Sequence, residues 1–534
     1  MKISRFTSSL NGRIHRCLAI ISKQKNMNGL RLVVAVVLCL ISFLQLFTQN
    51  RPTAYIVSPK REMRGIWVST VNNIDWPSQP GLSAAQLKRE VGAILDNVER
   101  MGLNTVFLQV RPASDAIYMS RIEPWSVYLT GRQGVNASSS GFDALHYWID
   151  EAHRRGIELH AWINPFRVSQ RVDMECSPLH VSRRHPEWII AYGGKQYLDP
   201  GRPEARAYLL DVTRDILTRY DIDGIHFDDY FYPYPVRDEV FDDSLSFARN
   251  NPQHLPLAEW RRGNVDDVIR SVGALVKSVK PWAAFGVSPF GVWRNKDVDA
   301  RGSDTRAGIT NYDVLYANVT KWVEQRWVDY IVPQIYWESG HPAANFDVLS
   351  RWWAGLPHRG VHFFVGHAVF KINTGAKSWD NGMEMPAQIE KVRATAGLEG
   401  SVFFSYRQFN RDLLGLRAAM TERLYRQRAL SPLELRENGA TDIEISRLRF
   451  KRGKLTWQVD PKDRGRIRFF AIYRYRKGDD FDSSQSVALW DVVPDAEIEL
   501  PASKSGRQKY VYRVAAIDLY RHEHPLSDKI VVRQ

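Results

Sequence analysis

Residues 223–233 read Asp-Gly-Ile-His-Phe-Asp-Asp-Tyr-Phe-Tyr-Pro, and the two adjacent aspartates are where chemistry is most readable in this sequence. Neighbouring carboxylates raise one another's pKa, which lets an acid and a base coexist near neutral pH. Side chains alternate along a strand. Ile225 and Phe227 suit a helix-facing side, so His226 and Asp228 face the other way. Asp228 then ends the strand, with Asp229 beside it. Paired carboxylates are what glycoside hydrolysis requires: one protonates the leaving oxygen, the other attacks the anomeric carbon or activates water. Asp228 is the first candidate. Asp229, Glu123 and Glu338 compete for the second role, with Asp229 and Glu123 ahead. The competing structural reading is that the aspartate pair caps the next element or meets a surface cation.

Other strand-like runs also end in polar and aromatic residues. One ends in Gln109-Val110-Arg111-Pro112, another in His160-Ala161-Trp162-Ile163-Asn164, a third in Gln334-Ile335-Tyr336-Trp337-Glu338. Each residue has a plain alternative. Gln109 and Asn164 can bridge strands, Arg111 can pair with an acid, and Trp162 and Trp337 can pack a core. Together they have the make-up of a sugar site: carboxylates, amides and flat rings. On this reading Gln109, Arg111, Asn164, His160, Trp162, Gln334, Tyr336, Trp337 and Glu338 hold substrate. No nucleophile elbow, His-Glu-x-x-His pair or phosphate-binding glycine loop occurs. No cofactor and no metal are expected.

These residues need elements to carry them. Eight apolar runs, at 64–70, 105–111, 158–166, 224–230, 283–292, 329–337, 362–370 and 400–406, read as strands. Helical periodicity separates them, most plainly at 84–101, where Leu87, Val91, Ile94, Leu95 and Val98 recur every three or four residues. Further helices are expected at 142–155, 203–220, 264–280 and 386–396. Alternation of this kind predicts a (β/α)8 TIM barrel over 60–410. An open doubly wound sheet would want a glycine-rich first turn, which Val68–Asn72 is not. Residues 411–440 read as a helix and linker. From 441 to 534 the pattern changes to short alternating strands, predicting a small all-β sandwich.

The chain has 534 residues, 17 Trp and a net charge of +14. Seven of its cations (Lys2, Arg5, Arg13, Arg16, Lys23, Lys25, Arg31) fall within residues 1–50, which hold no Asp or Glu. The apolar run 32–47 follows them directly. That is the layout of an export signal, cleaved or kept as a membrane anchor. The positive-inside rule then places the body outside the cytoplasm, in the periplasm or cell envelope. Cys176 is the only cysteine of the body and reads as a buried structural thiol. No zinc-finger spacing or compact basic run with aromatics occurs, so nucleic acid is not an expected partner.

Several of these motifs resemble the glycosyl-hydrolase-like family 10. They are Arg61–Val68, Gln109–Pro112, Tyr118 with Glu123-Pro124-Trp125-Ser126, His160–Pro165, Gly224–Pro233 and Pro333–Trp337. The tail resembles a fibronectin type III-like domain. The resemblance implies a barrel glycosidase acting on cell-envelope polysaccharide. Members include enzymes that cut peptidoglycan glycan strands stripped of stem peptides during cell division. Members are commonly lipoproteins; here Cys39 follows Leu38, where lipid attachment requires a small residue. Three functions are weighed: this hydrolase, an inactive glycan-binding barrel, and a hydrolase of an exopolysaccharide. The tail is expected to serve as a spacer or to contact envelope proteins.

Overall fold

The computed structural model describes residues 58–137, 141–435, 441–501 and 508–534. The expected leader, with its apolar run 32–47, lies outside them. No helix among the described residues is long and apolar enough to cross a membrane.

The barrel strands are β1 (Met63–Val68), β2 (Thr105–Arg111), β3 (Glu158–Ile163), β4 (Gly224–Phe227), β5 (Ala284–Val287), β6 (Tyr330–Ile331), β7 (His362–Phe363, resuming as Val365–His367) and β8 (Gly400–Phe403). Every pairing between them is parallel. The two halves of β7 pair with β6 and β8 respectively, and β8 pairs with β1. The sheet therefore closes on itself as the (β/α)8 barrel expected. Its ladders are shorter than the apolar runs suggested. Pro112, Pro165, Pro289 and Pro333 follow four of the strands closely. Proline has no N–H to give a ladder, so the chain leaves the sheet there and its next residues form the mouth.

The barrel interior is filled by rings. In register are Trp67 with Phe107, Phe107 with His160, and Trp162 with His226. Large rings need small neighbours to interdigitate. Gly286 of β5 supplies one such gap: a Cβ there would fall 2.2 Å from the Tyr330 ring. Gly224 supplies another, with a Cβ 2.5 Å from His160 Nδ1.

Outside the sheet run α1 (Ala84–Arg100), α2 (Ala144–His153), α3 (Pro203–Arg219), α4 (Leu257–Val279), α5 (Val319–Glu324), α6 (Phe346–Ala354) and α7 (Glu384–Ala394). The five apolar residues that predicted α1 are its buried stripe, and Ser83 with Gln86 close its first turn as a capping box. Helices α5 and α6 are too short for their periodicity to stand out in the sequence. A three-stranded antiparallel sheet (Arg167–Ser169, Ile189–Tyr192, Lys195–Leu198) is inserted after β3. Sequence periodicity left that segment unassigned. Cys176 lies in it, half-buried, its thiol pushed up by burial.

The tail forms two antiparallel sheets: β9 (Ser446–Lys451), β10 (Lys454–Gln458) and β13 (Glu497–Glu499), and β11 (Ile467–Arg476), β12 (Leu489–Val493), β14 (Lys509–Asp518) and β15 (Ile530–Arg533). Leu455 and Trp457 from one meet Phe470, Ile472 and Val514 from the other in a shared core. The tail also docks on the floor of the barrel. Arg521, 3% exposed, donates to Glu158 Oε1 at 2.8 Å, to Asp223 O at 2.9 Å and to Trp282 O at 3.0 Å. Arg468 pairs with Asp223 at 3.1 Å. Burial would push the Asp223 carboxyl up; Arg468, His153 and Arg521 instead hold it well below the usual range.

Candidate active site

The mouth of the barrel is a cleft of about 370 Å³, in the range of small-molecule sites. Asp228 and Asp229 follow β4 directly and line it, 4% and 3% exposed. His226 points into the barrel as alternation predicts. Its ring contacts the Tyr330 hydroxyl at 3.1 Å and Ser288 Oγ at 3.1 Å, and accepts from Trp67 Nε1 at 3.1 Å.

Asp228 is held by a chain of amides. Gln109 Oε1 accepts from Thr70 N and Val71 N, both at 2.9 Å, and from Ser69 Oγ at 3.0 Å. Backbone N–H groups can only donate, so the Gln109 amide has one permitted orientation. Its Nε2 then donates to Asn164 Oδ1 at 2.5 Å, and Asn164 Nδ2 donates to Asp228 Oδ2. Trp162 Nε1 donates to the same oxygen at 3.3 Å. Asp229 accepts from the Tyr234 hydroxyl.

Burial pushes the Asp228 carboxyl up to about 7, and Asp229 adds to the rise; Arg167, the Tyr230 N–H and Trp162 pull the other way. Burial also raises Asp229, against the donors Tyr234 and Gln334. A carboxyl that titrates near neutrality can hold or release a proton at working pH. Its neighbour is then available for the complementary role.

Of the residues expected to hold substrate, Gln109, Trp162, Gln334 and Tyr336 line the cleft. Asn164 lies just behind it, fully buried between Gln109 and Asp228. Arg111 and Glu123 are not brought to the cleft. They form a buried ion pair at 2.7 Å, with both side chains fully buried, and the Tyr208 hydroxyl donates to Glu123 Oε1 at 2.9 Å. Arg111 further donates to Asn164 O at 2.6 Å, which braces the turn carrying that residue. The pair follows from simple proximity: the loop after β2 folds back and sets Glu123 against the strand end. His160 lies lower in the barrel, bound to the Tyr330 hydroxyl at 2.8 Å. Trp337 packs edge-on against Phe290 at 5.5 Å. Glu338 accepts from Trp379 Nε1 at 3.2 Å. Neither of these last two lines the cleft.

Other residues complete the walls. Trp67, Tyr230 and Phe404 add rings, and Arg167 and Lys195 add cations from the inserted sheet. Arg167 stands at the close of the third predicted run, but nothing local in the sequence gives it a role, and Lys195 lies in a segment with no predicted element. Asp75 sits behind the β1 loop, accepting from Ser69 N at 2.7 Å and Ser405 Oγ at 2.8 Å, and burial pushes it up to about 6. It ties the first strand end to the last. Among the described residues no group of three or more His, Cys, Asp or Glu is placed to hold a metal ion.

A closed (β/α)8 barrel with a buried acid pair in a ring-walled mouth is the architecture of a glycoside hydrolase. The chain belongs to the glycosyl hydrolase-like 10 family, whose match covers residues 62–382. It is 36% identical over 477 residues to glycosyl hydrolase YngK of Bacillus subtilis (strain 168), covering 88% of this chain and 93% of that one. It is 37% identical over 380 residues to glycosyl hydrolase DigH of Escherichia coli (strain K12), covering 66% of this chain and 85% of that one. Among solved structures it is similar to the PgaB (BpsB) glycoside hydrolase domain of Bordetella bronchiseptica, with a TM-score of 0.45 and 13% identity over 67% of this chain and 99% of that one. A mannanase of Thermotoga petrophila RKU-1 gives a TM-score of 0.40 at 12% identity, covering 65% and 88%.

Proposed function

We propose that this protein is an exported glycosidase that hydrolyses peptidoglycan glycan strands lacking stem peptides. Asp228 is one working carboxylate and Asp229 the other. The observation that supports this reading is the pair itself: two buried, adjacent carboxyls at the end of β4, one of them raised to about 7, inside a cleft walled by rings. Flat rings stack on the apolar faces of sugars, and the carboxyls supply acid and nucleophile or base. Gln109 and Asn164 orient Asp228, while Trp162, Tyr336 and Gln334 border the space a sugar would take.

The test is turnover of intact and amidase-stripped peptidoglycan by the purified full-length chain, with mass analysis of released fragments. Saccharides released from stripped strands only are expected. Binding without fragments would favour an inactive glycan-binding barrel. Neither binding nor cleavage would send the search to exopolysaccharides.

A further inference from the structure

Arg167 is 7% exposed and lines the cleft, yet its guanidinium makes no hydrogen bond and no ion pair with any described residue. It lies over the Tyr230 ring at 4.6 Å, which fixes its plane. Lys195 lines the same cleft and its ammonium has no such partner either. The inserted sheet explains why the two are close. Arg167 pairs in register with Tyr197, and Lys195, two residues earlier on that strand, shares the face of Tyr197 by alternation. Two cations held diagonally across a sheet repel each other, and a guanidinium in a cleft wall with no acceptor forgoes its charge-assisted hydrogen bonds. An anion between them would remove both penalties, and a carboxylate matches the planar fork of arginine. Asp228 and Asp229 already feel the Arg167 charge, but a neutral sugar would offer neither cation a charged acceptor within hydrogen-bond reach.

We propose that Arg167 and Lys195 form a carboxylate-binding subsite beside Asp228, so that the preferred glycan bears a free carboxylate on the sugar next to the cut bond. The inference rests on the glycosidase reading above. Two sources share this chemistry: the lactyl ether of a muramic acid freed of its peptide, and a uronic acid.

The experiment compares the wild-type full-length chain on stripped glycan strands as free acids and as methyl esters. Esterification is expected to lower kcat/KM at least about tenfold. Arg167→Gln and Lys195→Gln are each expected to erase most of that difference. Equal turnover of acid and ester overturns the proposal, and needs no variant to fold. If neither strand is cut, the peptidoglycan reading fails separately. Calorimetry with oligogalacturonate and its methyl ester then decides. Binding of the acid at least about tenfold tighter than the ester supports a uronate-binding subsite. Equal binding, or none, overturns it.

Discussion

Asn164 donates its side-chain amide to Oδ2 of Asp228, and that bond decides where a proton on Asp228 can sit. The chain Thr70 and Val71 N–H to Gln109 to Asn164 to Asp228 runs in one direction only, because it starts at backbone donors. Oδ2 is thus committed as an acceptor, from Trp162 as well. Neutral Asp228 must carry its proton on Oδ1. An acid whose proton is confined to one oxygen is already oriented before substrate arrives, which is what preorganisation means for proton transfer.

Replacing Asp228 with Asn should cut glycan turnover at least about 100-fold. The same change should stabilise the fold near neutral pH. The Asp228 pKa is raised from 3.8 to about 7, so the proton stabilises the folded state. That stability is complete below about pH 4 and is lost as pH rises through 7. The amide that replaces the carboxyl has no charge to desolvate. Melting curves should therefore coincide at pH 4 and separate by pH 8, with the variant ahead by up to about 4 kcal/mol. A variant that is inactive and no more stable at pH 8 would contradict the raised pKa.

Asn164→Ala removes a donor that favours ionised Asp228. Its carboxyl should move further up, shifting the Asp228 limb of the kcat/KM pH profile to higher pH while the rate falls about tenfold or more. A lowered rate with an unmoved limb would make Asn164 a packing residue only. Gln109→Ala should cost about 1–3 kcal/mol in denaturant unfolding, since two buried N–H groups lose their acceptor.

Glu123→Gln should act on stability first. It leaves Arg111, fully buried, without its counter-charge, a change that typically costs about 3–5 kcal/mol. Activity of the folded fraction at low temperature should stay within a few-fold of wild type. A 100-fold loss with unchanged melting would instead place Glu123 in the chemistry.

Arg521→Ala should loosen the tail from the barrel floor. Glu158 and two backbone carbonyls lose a buried cation. A loss of about 3 kcal/mol or more is expected, together with faster proteolytic cleavage between barrel and tail. Unchanged protease resistance would show that the remaining contacts, Arg468 with Asp223 and Lys60 with Glu523 among them, hold the tail without Arg521.

Alternation and strand ends carried the sequence reading a long way. They set His226 inside the barrel and Asp228 at its mouth, and brought Trp162, Gln334 and Tyr336 to the cleft, because side-chain period and strand polarity are local properties. The same logic overreached at Arg111, Glu123, Trp337 and Glu338. All four lie at or beyond strand ends, yet Arg111 and Glu123 neutralise each other behind the cleft, and a ring or an indole N–H from a distant segment claims Trp337 and Glu338. Arg167 and Lys195 failed in the other direction, since they lie far apart in the chain and only the pairing of the inserted sheet joins them. What the sequence by itself determined is the barrel, its strand polarity and the acid pair, all written in periods of two and three to four residues. Which polar groups stay unmatched in the cleft, and which are neutralised behind it, is decided by contacts between segments far apart in the chain, so only the tertiary structure could decide it.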